Sequence, residues 1–204
     1  MSGIIEAMLA FSRSGQLPPG ECALRTAAQD VIDELLAEPQ GVELRIALPD
    51  ERVACAPEVL AQILRNLVGN ALKYRAEGRR CRVELVGSVE GPQVRVAVED
   101  NGIGMDPQAV CRAFEPFFRA SADRAGHGLG LAIVDRYVRA LGGSVLLTSQ
   151  PGVGTRVEVR LPRASSVPAA VLDLRVTAHA LDVPREGPPE PPLPPVEEEP
   201  TARA

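Results

Sequence analysis

The stretch Pro57-Glu58-Val59-Leu60-Ala61-Gln62-Ile63-Leu64-Arg65-Asn66-Leu67-Val68-Gly69-Asn70-Ala71-Leu72-Lys73-Tyr74 decides how the rest of the chain is read. Leu60, Ile63, Leu64, Leu67, Val68, Ala71 and Leu72 recur at the spacing of one helical face. Pro57 suits the first helical position, where its fixed φ helps and its missing N–H is not needed. Asn66, Asn70, Lys73 and Tyr74 fall together on the other side. That side holds two carboxamides and an ammonium. Lys73 is the single lysine among the 22 Lys and Arg residues. A chain that otherwise writes its cations as Arg keeps a compact point charge here. The polar face is read either as an ordinary solvated face or as a binding face.

Moving towards the N-terminus, residues 52–55 read as a short strand and Pro49-Asp50 as a turn. Residues 42–48 alternate Val42, Leu44, Ile46, Leu48, the period of a half-buried strand. Residues 22–38 place Leu24, Ala27, Ala28, Val31, Ile32, Leu35 and Leu36 at helical spacing, and Pro39 and Gly41 end that helix. A further helical stripe (Ile4, Ile5, Met8, Leu9) spans residues 2–13. Towards the C-terminus, residues 82–89 and 93–99 read as a hairpin joined by Glu90-Gly91-Pro92. A glycine-rich turn, 100–104, closes it. Residues 105–128 are broken by Pro107, Pro116, Gly126 and Gly128, with short helical pieces at most. A helix follows over 129–141, ended by Gly142-Gly143, then two strands, 144–149 and 155–161. This order predicts an α+β fold: a two-layer α/β sandwich with helices on one face of a mixed sheet.

Composition sets the limits. Hydrophobic residues make up 45% of the 204, but aromatics only 3%, so the core must be aliphatic. A net charge of -5 argues against a general nucleic-acid binder. Most of the negative charge lies in residues 164–204, where seven acids face Arg175, Arg185 and Arg203. That segment also holds nine of the 19 prolines and reads as a disordered, partly PPII-like tail, although residues 171–176 alternate like a strand. Cys22, Cys55, Cys81 and Cys111 form no CxxC or zinc-like spacing and read as separate thiols in a reducing compartment. There is no apolar run long enough for a membrane span and no signal-peptide pattern, so a cytoplasmic location is expected, with no membrane partner within this chain.

Two further segments carry chemistry. Asp100-Asn101-Gly102-Ile103-Gly104 puts a carboxylate at a strand end before Gly-x-Gly, where backbone can approach a ligand closely. The carboxylate suits an exocyclic amine, though a plain strand-to-helix turn reads equally well. Gly126-His127-Gly128-Leu129-Gly130-Leu131 runs into a helix N-terminus, whose free N–H groups and dipole favour phosphate. Alone it also reads as a hinge.

Taken together, these segments resemble the boxes of sensor histidine kinases, specifically their C-terminal catalytic and ATP-binding domain. Residues 66–74 are similar to the N box, 100–104 to the G1 box and 126–131 to the G2 box. Phe114-Glu115-Pro116-Phe117-Phe118-Arg119 resembles the F box, and Gly152-Val153-Gly154-Thr155 the final glycine box. Five motifs in the family's order and spacing cover about residues 20–162. The resemblance implies a Bergerat-type ATP-binding domain over 16–163, a remnant of a second dimerisation helix over 1–15, and the tail over 164–204.

The resemblance also implies roles. Asp100 would accept from the adenine amino group, supported by Thr155, with Gly102 and Gly104 shaping the turn. Asn70 would hold Mg²⁺. Asn66 and Lys73 would carry catalysis beside the phosphates, and Tyr74 would contact the nucleotide. Gly126, His127, Gly128, Leu129 and Gly130 would wrap the phosphates, with Arg119 a lid or phosphate contact. The cofactors implied are ATP and Mg²⁺. The reaction is γ-phosphoryl transfer to a histidine, and the partners are a histidine-bearing dimerisation domain, in cis or in trans, and a response regulator.

The chain departs from the family pattern in four places. Its histidines are His127 and His179, and the acceptor segment does not occur, so the chain reads as a fragment or as a protein without its acceptor. Ala56 stands where an Asp commonly caps the helix, at a cost of about 1 kcal/mol. His127 replaces a small polar residue and either donates to a phosphate or is simply tolerated. The lid, about 120–125, is short. A sister ATPase of the gyrase, Hsp90 and MutL group would carry Glu at position 66 to activate water, and Asn66 cannot serve as a strong base. A non-catalytic ATP-binding or docking module is the main alternative, and an anti-sigma-type serine kinase a lesser one.

Overall fold

The computed structural model describes residues 17–36, 41–120 and 126–164. Chain contacts divide the molecule into Met1–Ser166 and Val167–Ala204. The expected helix over 2–13, the lid residues 121–125 and the Pro-rich tail lie outside the described residues.

The long amphipathic stretch forms a helix over Pro57–Lys73 with Pro57 in its first turn. Ala56 precedes it in extended conformation and offers no side-chain cap. The other helices are Leu24–Leu35, Pro107–Arg112 and Gly130–Ala140. In chain order they are α1 (Leu24–Leu35), α2 (Pro57–Lys73), α3 (Pro107–Arg112) and α4 (Gly130–Ala140). The short α3 does carry a cap: Asp106 Oδ1 accepts from Ala109 N at 2.8 Å.

The strands are β1 (Cys22–Ala23), β2 (Val42–Ala47), β3 (Arg52–Val53), β4 (Cys81–Glu90), β5 (Gln93–Asp100), β6 (Ser144–Gln150) and β7 (Gly154–Pro162). Five of them make one mixed sheet in the order β2-β4-β5-β7-β6. The β2–β4 pair is parallel and the others antiparallel. Alternation decides which face is covered. Val83, Leu85, Val94, Val96, Val98, Val157, Val159 and Leu161 are buried in one cluster with Leu60, Ile63, Leu64 and Leu67 of α2 and Ile133, Val134 and Val138 of α4. The helices therefore pack on one face of the sheet, as the element order predicted.

The opposite face is ionic. Glu158, 8% exposed, accepts from Arg95 at 3.1 Å and Arg156 at 3.3 Å, and forms an ion pair with Arg160 at 3.3 Å. Arg156 also meets Glu99 at 2.9 Å, and Arg45 meets Glu84 at 3.5 Å.

A second, two-stranded sheet pairs β1 with β3, which the sequence did not reveal. It straps the start of α1 to the end of β7: Leu24 N donates to Glu51 O at 2.9 Å and Ala54 N to Pro162 O at 2.9 Å. All four cysteines are free thiols, with Cys111 alone exposed. Among the described residues no helix is long and apolar enough to cross a membrane.

Candidate functional site

Between α2, the end of β5 and the start of α4 lies a cavity of about 660 Å³. Asn66, Asn70, Lys73, Tyr74, Asp100, Gly104, Arg119, Gly126, His127, Gly128, Leu129, Gly130 and Thr155 all line it. Segments up to 89 residues apart in the chain thus meet in one place, counted from Asn66 to Thr155. Gly102 is the predicted site residue outside that lining. It stands behind Asp100, and a Cβ there would strike the Tyr74 carbonyl oxygen.

One end of the cavity is built around Asp100. Its Oδ1 accepts from Gly102 N at 2.7 Å and from Thr155 N at 3.3 Å. Burial pushes the carboxyl above the usual range, opposed by those two hydrogen bonds. The glycine-rich turn is fixed from both sides. Ile103 N donates to Tyr74 O at 2.9 Å, and Gly152 N to Ile103 O at 2.8 Å. Gly104 has φ 67°, and a Cβ there would collide with the Gln150 carbonyl. The first and last glycine boxes thus lie backbone against backbone. Behind them Ser149 Oγ accepts from Met105 N at 2.9 Å and lies 2.8 Å from Thr155 Oγ1.

The other end is built from α2 and α4. No side chain caps α4, and no acidic residue sits in its first turn. Its leading N–H groups therefore keep their affinity for an anion. Asn66 Oδ1 lies 3.3 Å and Asn70 Nδ2 3.6 Å from where a Cβ on Gly130 would stand. Among the described residues Asn66 Nδ2 is buried without a hydrogen-bond partner. An orphaned donor of this kind costs about 1–3 kcal/mol unless a ligand supplies an acceptor. Lys73 Nζ stacks 4.6 Å over the Tyr74 ring and lies where a Cβ on Gly126 would go. Glycine at 126 lets the backbone there approach the ammonium.

The F box anchors that end. Phe117, at φ 67° and 60% exposed, donates its N–H to Gly128 O at 2.9 Å. Arg112 stacks 4.4 Å over the Phe118 ring, and Phe118 lines the cavity.

Sequence reasoning missed five residues here. Arg79 Nη2 donates to Gly102 O at 2.5 Å and to Val153 O at 3.3 Å, bracing both glycine boxes. Ser149 supports Thr155 as above. Glu34, Gln62 and Arg65 also line the cavity. Gln62 lies four residues before Asn66, a spacing that could have flagged it; the others carry no local signal.

The profile of the histidine kinase-, DNA gyrase B-, and HSP90-like ATPases matches residues 55–165. The sensor protein TorS of Escherichia coli K12 is 38% identical over 132 residues, 62% of this chain and 14% of TorS. The alginate biosynthesis sensor protein KinB of Pseudomonas aeruginosa is 32% identical over 170 residues, 78% of this chain and 28% of KinB. A solved structure, full-length ShkA in complex with AMPPNP, matches with a TM-score of 0.67 at 32% identity, covering 79% of this chain and 35% of ShkA. The chain thus spans less than a third of the length of either curated relative.

Proposed function

The chain belongs to the histidine kinase-, DNA gyrase B-, and HSP90-like ATPase family, and from that premise we propose that it binds Mg-ATP and presents the γ-phosphoryl group to a histidine on another domain or chain. The observation that carries this reading is the orphaned Nδ2 of Asn66, buried beside the uncapped start of α4. It is a donor in need of an anionic acceptor, next to N–H groups with the same need.

At the far end Asp100 offers a carboxylate whose two protein hydrogen bonds both fall on Oδ1. Oδ2 is the oxygen an adenine amino group would use. Thr155, held from behind by Ser149, supports the same base edge. Lys73 brings its charge towards the phosphates; glycine at 126 and 130 lets the backbone pass close to Lys73 Nζ and the Asn66 amide, and glycine at 128 lets it pass against the Phe117 backbone.

A divalent cation fits the site by its donors. No cluster of three His, Cys, Asp or Glu residues able to hold a metal exists among the described residues. Amide oxygen from Asn70, with Asn66 beside it, leaves the anionic ligands to phosphate, as suits Mg²⁺. Mg²⁺ bound there would neutralise phosphate charge. The chain's own contribution is to orient the nucleotide and hold donors ready, which is most of what phosphoryl transfer asks of a protein. A kinase role brings with it a histidine-bearing dimerisation domain and a response regulator as partners.

The test is labelled ATP with Mg²⁺, with and without a separately supplied dimerisation domain bearing the acceptor histidine. Acid-labile label on that domain is the expected result. Tight nucleotide binding with no transfer to any acceptor domain would instead favour a regulatory ATP-binding module.

A further inference from the structure

Three polar residues of the cavity, Glu34, Gln62 and Arg65, have no part in the reading above. They form one hydrogen-bonded group. Arg65 grips Glu34 with two nitrogens: Nη2 to Oε2 at 2.7 Å, and Nε to Oε1 at 3.0 Å and to Oε2 at 3.2 Å. Arg65 Nη1 donates to Gln62 Oε1 at 3.3 Å.

Position along α2 says which end of the cavity they occupy. The turn that carries Asp100 docks on the carbonyl of Tyr74, at the helix C-terminus. Arg65 lies nine residues earlier, about 13 Å back along the axis. It immediately precedes Asn66, beside which α4 presents its uncapped N-terminus. The cavity therefore runs from a base end to a phosphate end, and the guanidinium stands at the phosphate end.

Resting on the Mg-ATP reading, we infer that Arg65 distinguishes a nucleoside triphosphate from a diphosphate by meeting the terminal phosphate, and that Glu34 holds it in place when that phosphate is missing. The pair suits exchange. Both side chains are partly exposed, at 37% for Arg65 and 53% for Glu34, so little stability depends on the bond between them. A guanidinium has five N–H donors, and the contacts to Glu34 and Gln62 engage three of its nitrogens with one donor each, leaving two N–H groups. A terminal phosphate carries more charge than one carboxylate and accepts the same forked geometry. A diphosphate, ending one phosphate earlier, leaves Arg65 with Glu34.

Isothermal titration with ADP and with AMPPNP, each with Mg²⁺, tests this on the full chain. Arg65→Ala should weaken AMPPNP about tenfold and leave ADP within about twofold. Arg65→Lys, which keeps the charge but not the fork, should lose part of that preference and serves if the alanine variant does not fold. Glu34→Gln should strengthen AMPPNP about threefold with ADP unchanged. Equal losses for both nucleotides in Arg65→Ala, or no loss, overturn the assignment. Weaker AMPPNP binding in Glu34→Gln overturns the holding role of Glu34. Wild-type chain that binds neither nucleotide refutes the nucleotide site itself, a result separate from the other two.

Discussion

Asp100 is a carboxylate that folding alone does not favour. Burial raises its pKa, so protonation is easier in the folded chain than in the unfolded one. The sign follows from linkage: its contribution to stability is full below the unfolded pKa and is lost as pH rises through the higher folded one. At neutral pH the ion is retained at a cost. Asp100→Asn keeps an oxygen to accept from Gly102 N and removes the buried charge. Its thermal midpoint without nucleotide, at pH 7, should equal or exceed that of the wild type, while ATP affinity falls by about tenfold or more. In the wild type, ATP affinity should decline with falling pH at a point above the ordinary carboxylate range. A destabilised variant with unchanged ATP binding would remove Asp100 from the site. Such residues were legible because their type is unusual for their place: a carboxylate before Gly-x-Gly, a single lysine on a helix face. Arg79 and Ser149 were not. Each acts through partners that only the folded backbone brings near, Arg79 across 74 residues to Val153 and Ser149 across 44 to Met105.

At the scale of elements, α2 shows how one helix serves two purposes. Its apolar side was readable from spacing, and its polar side proved to line the cavity. The two sides should respond differently to the same kind of truncation. Leu64, 1% exposed, is core; Leu64→Ala should cost about 3 kcal/mol in urea unfolding. Asn66→Ala removes a donor that has no partner, so the unfolding free energy should change little or rise. Its nucleotide affinity should nevertheless fall, which titration would show. The glycine turn after β5 makes the complementary case. Gly104→Ala places a Cβ against the Gln150 carbonyl at positive φ, so about 2 kcal/mol or more of stability should be lost. Because that turn positions Asp100, ATP affinity should fall with it. The sequence showed that glycine was needed here, but not that the obstruction would be another loop's backbone. β3 falls within the short strand read over 52–55, but its partner β1 was illegible at the start of the expected helix, because two residues carry no period.

For the molecule as a whole, the sheet's covered face was written in alternation and its open face in charge, so the layer arrangement could be read before the structure. Strand order could not, because nothing local says that β2 pairs in parallel with β4 or that β7 lies between β5 and β6. The four thiols report on this whole. Cys22, Cys55 and Cys81 are buried in the core, on β1, before α2 and on β4, with Cys22 and Cys55 near one another, while Cys111 is exposed on α3. Burial pushes the Cys55 thiol up to about 12, and it raises Cys22 and Cys81 as well. Thiolate is the reactive form, so these three combine poor access with poor ionisation. A thiol reagent at pH 8 should therefore modify one cysteine quickly and three slowly, at rates set by opening of the fold. A nucleotide that binds only the folded state lowers the open population, by about 4 kcal/mol at a thousandfold excess over Kd. Under rapid opening and closing, Mg-ATP should therefore slow the three core thiols together and leave Cys111, which is not among the cavity's lining residues, nearly unchanged. Mass spectrometry of each labelled cysteine reads this directly. Protection of Cys111 alone would place the ligand on α3's surface rather than in the cavity.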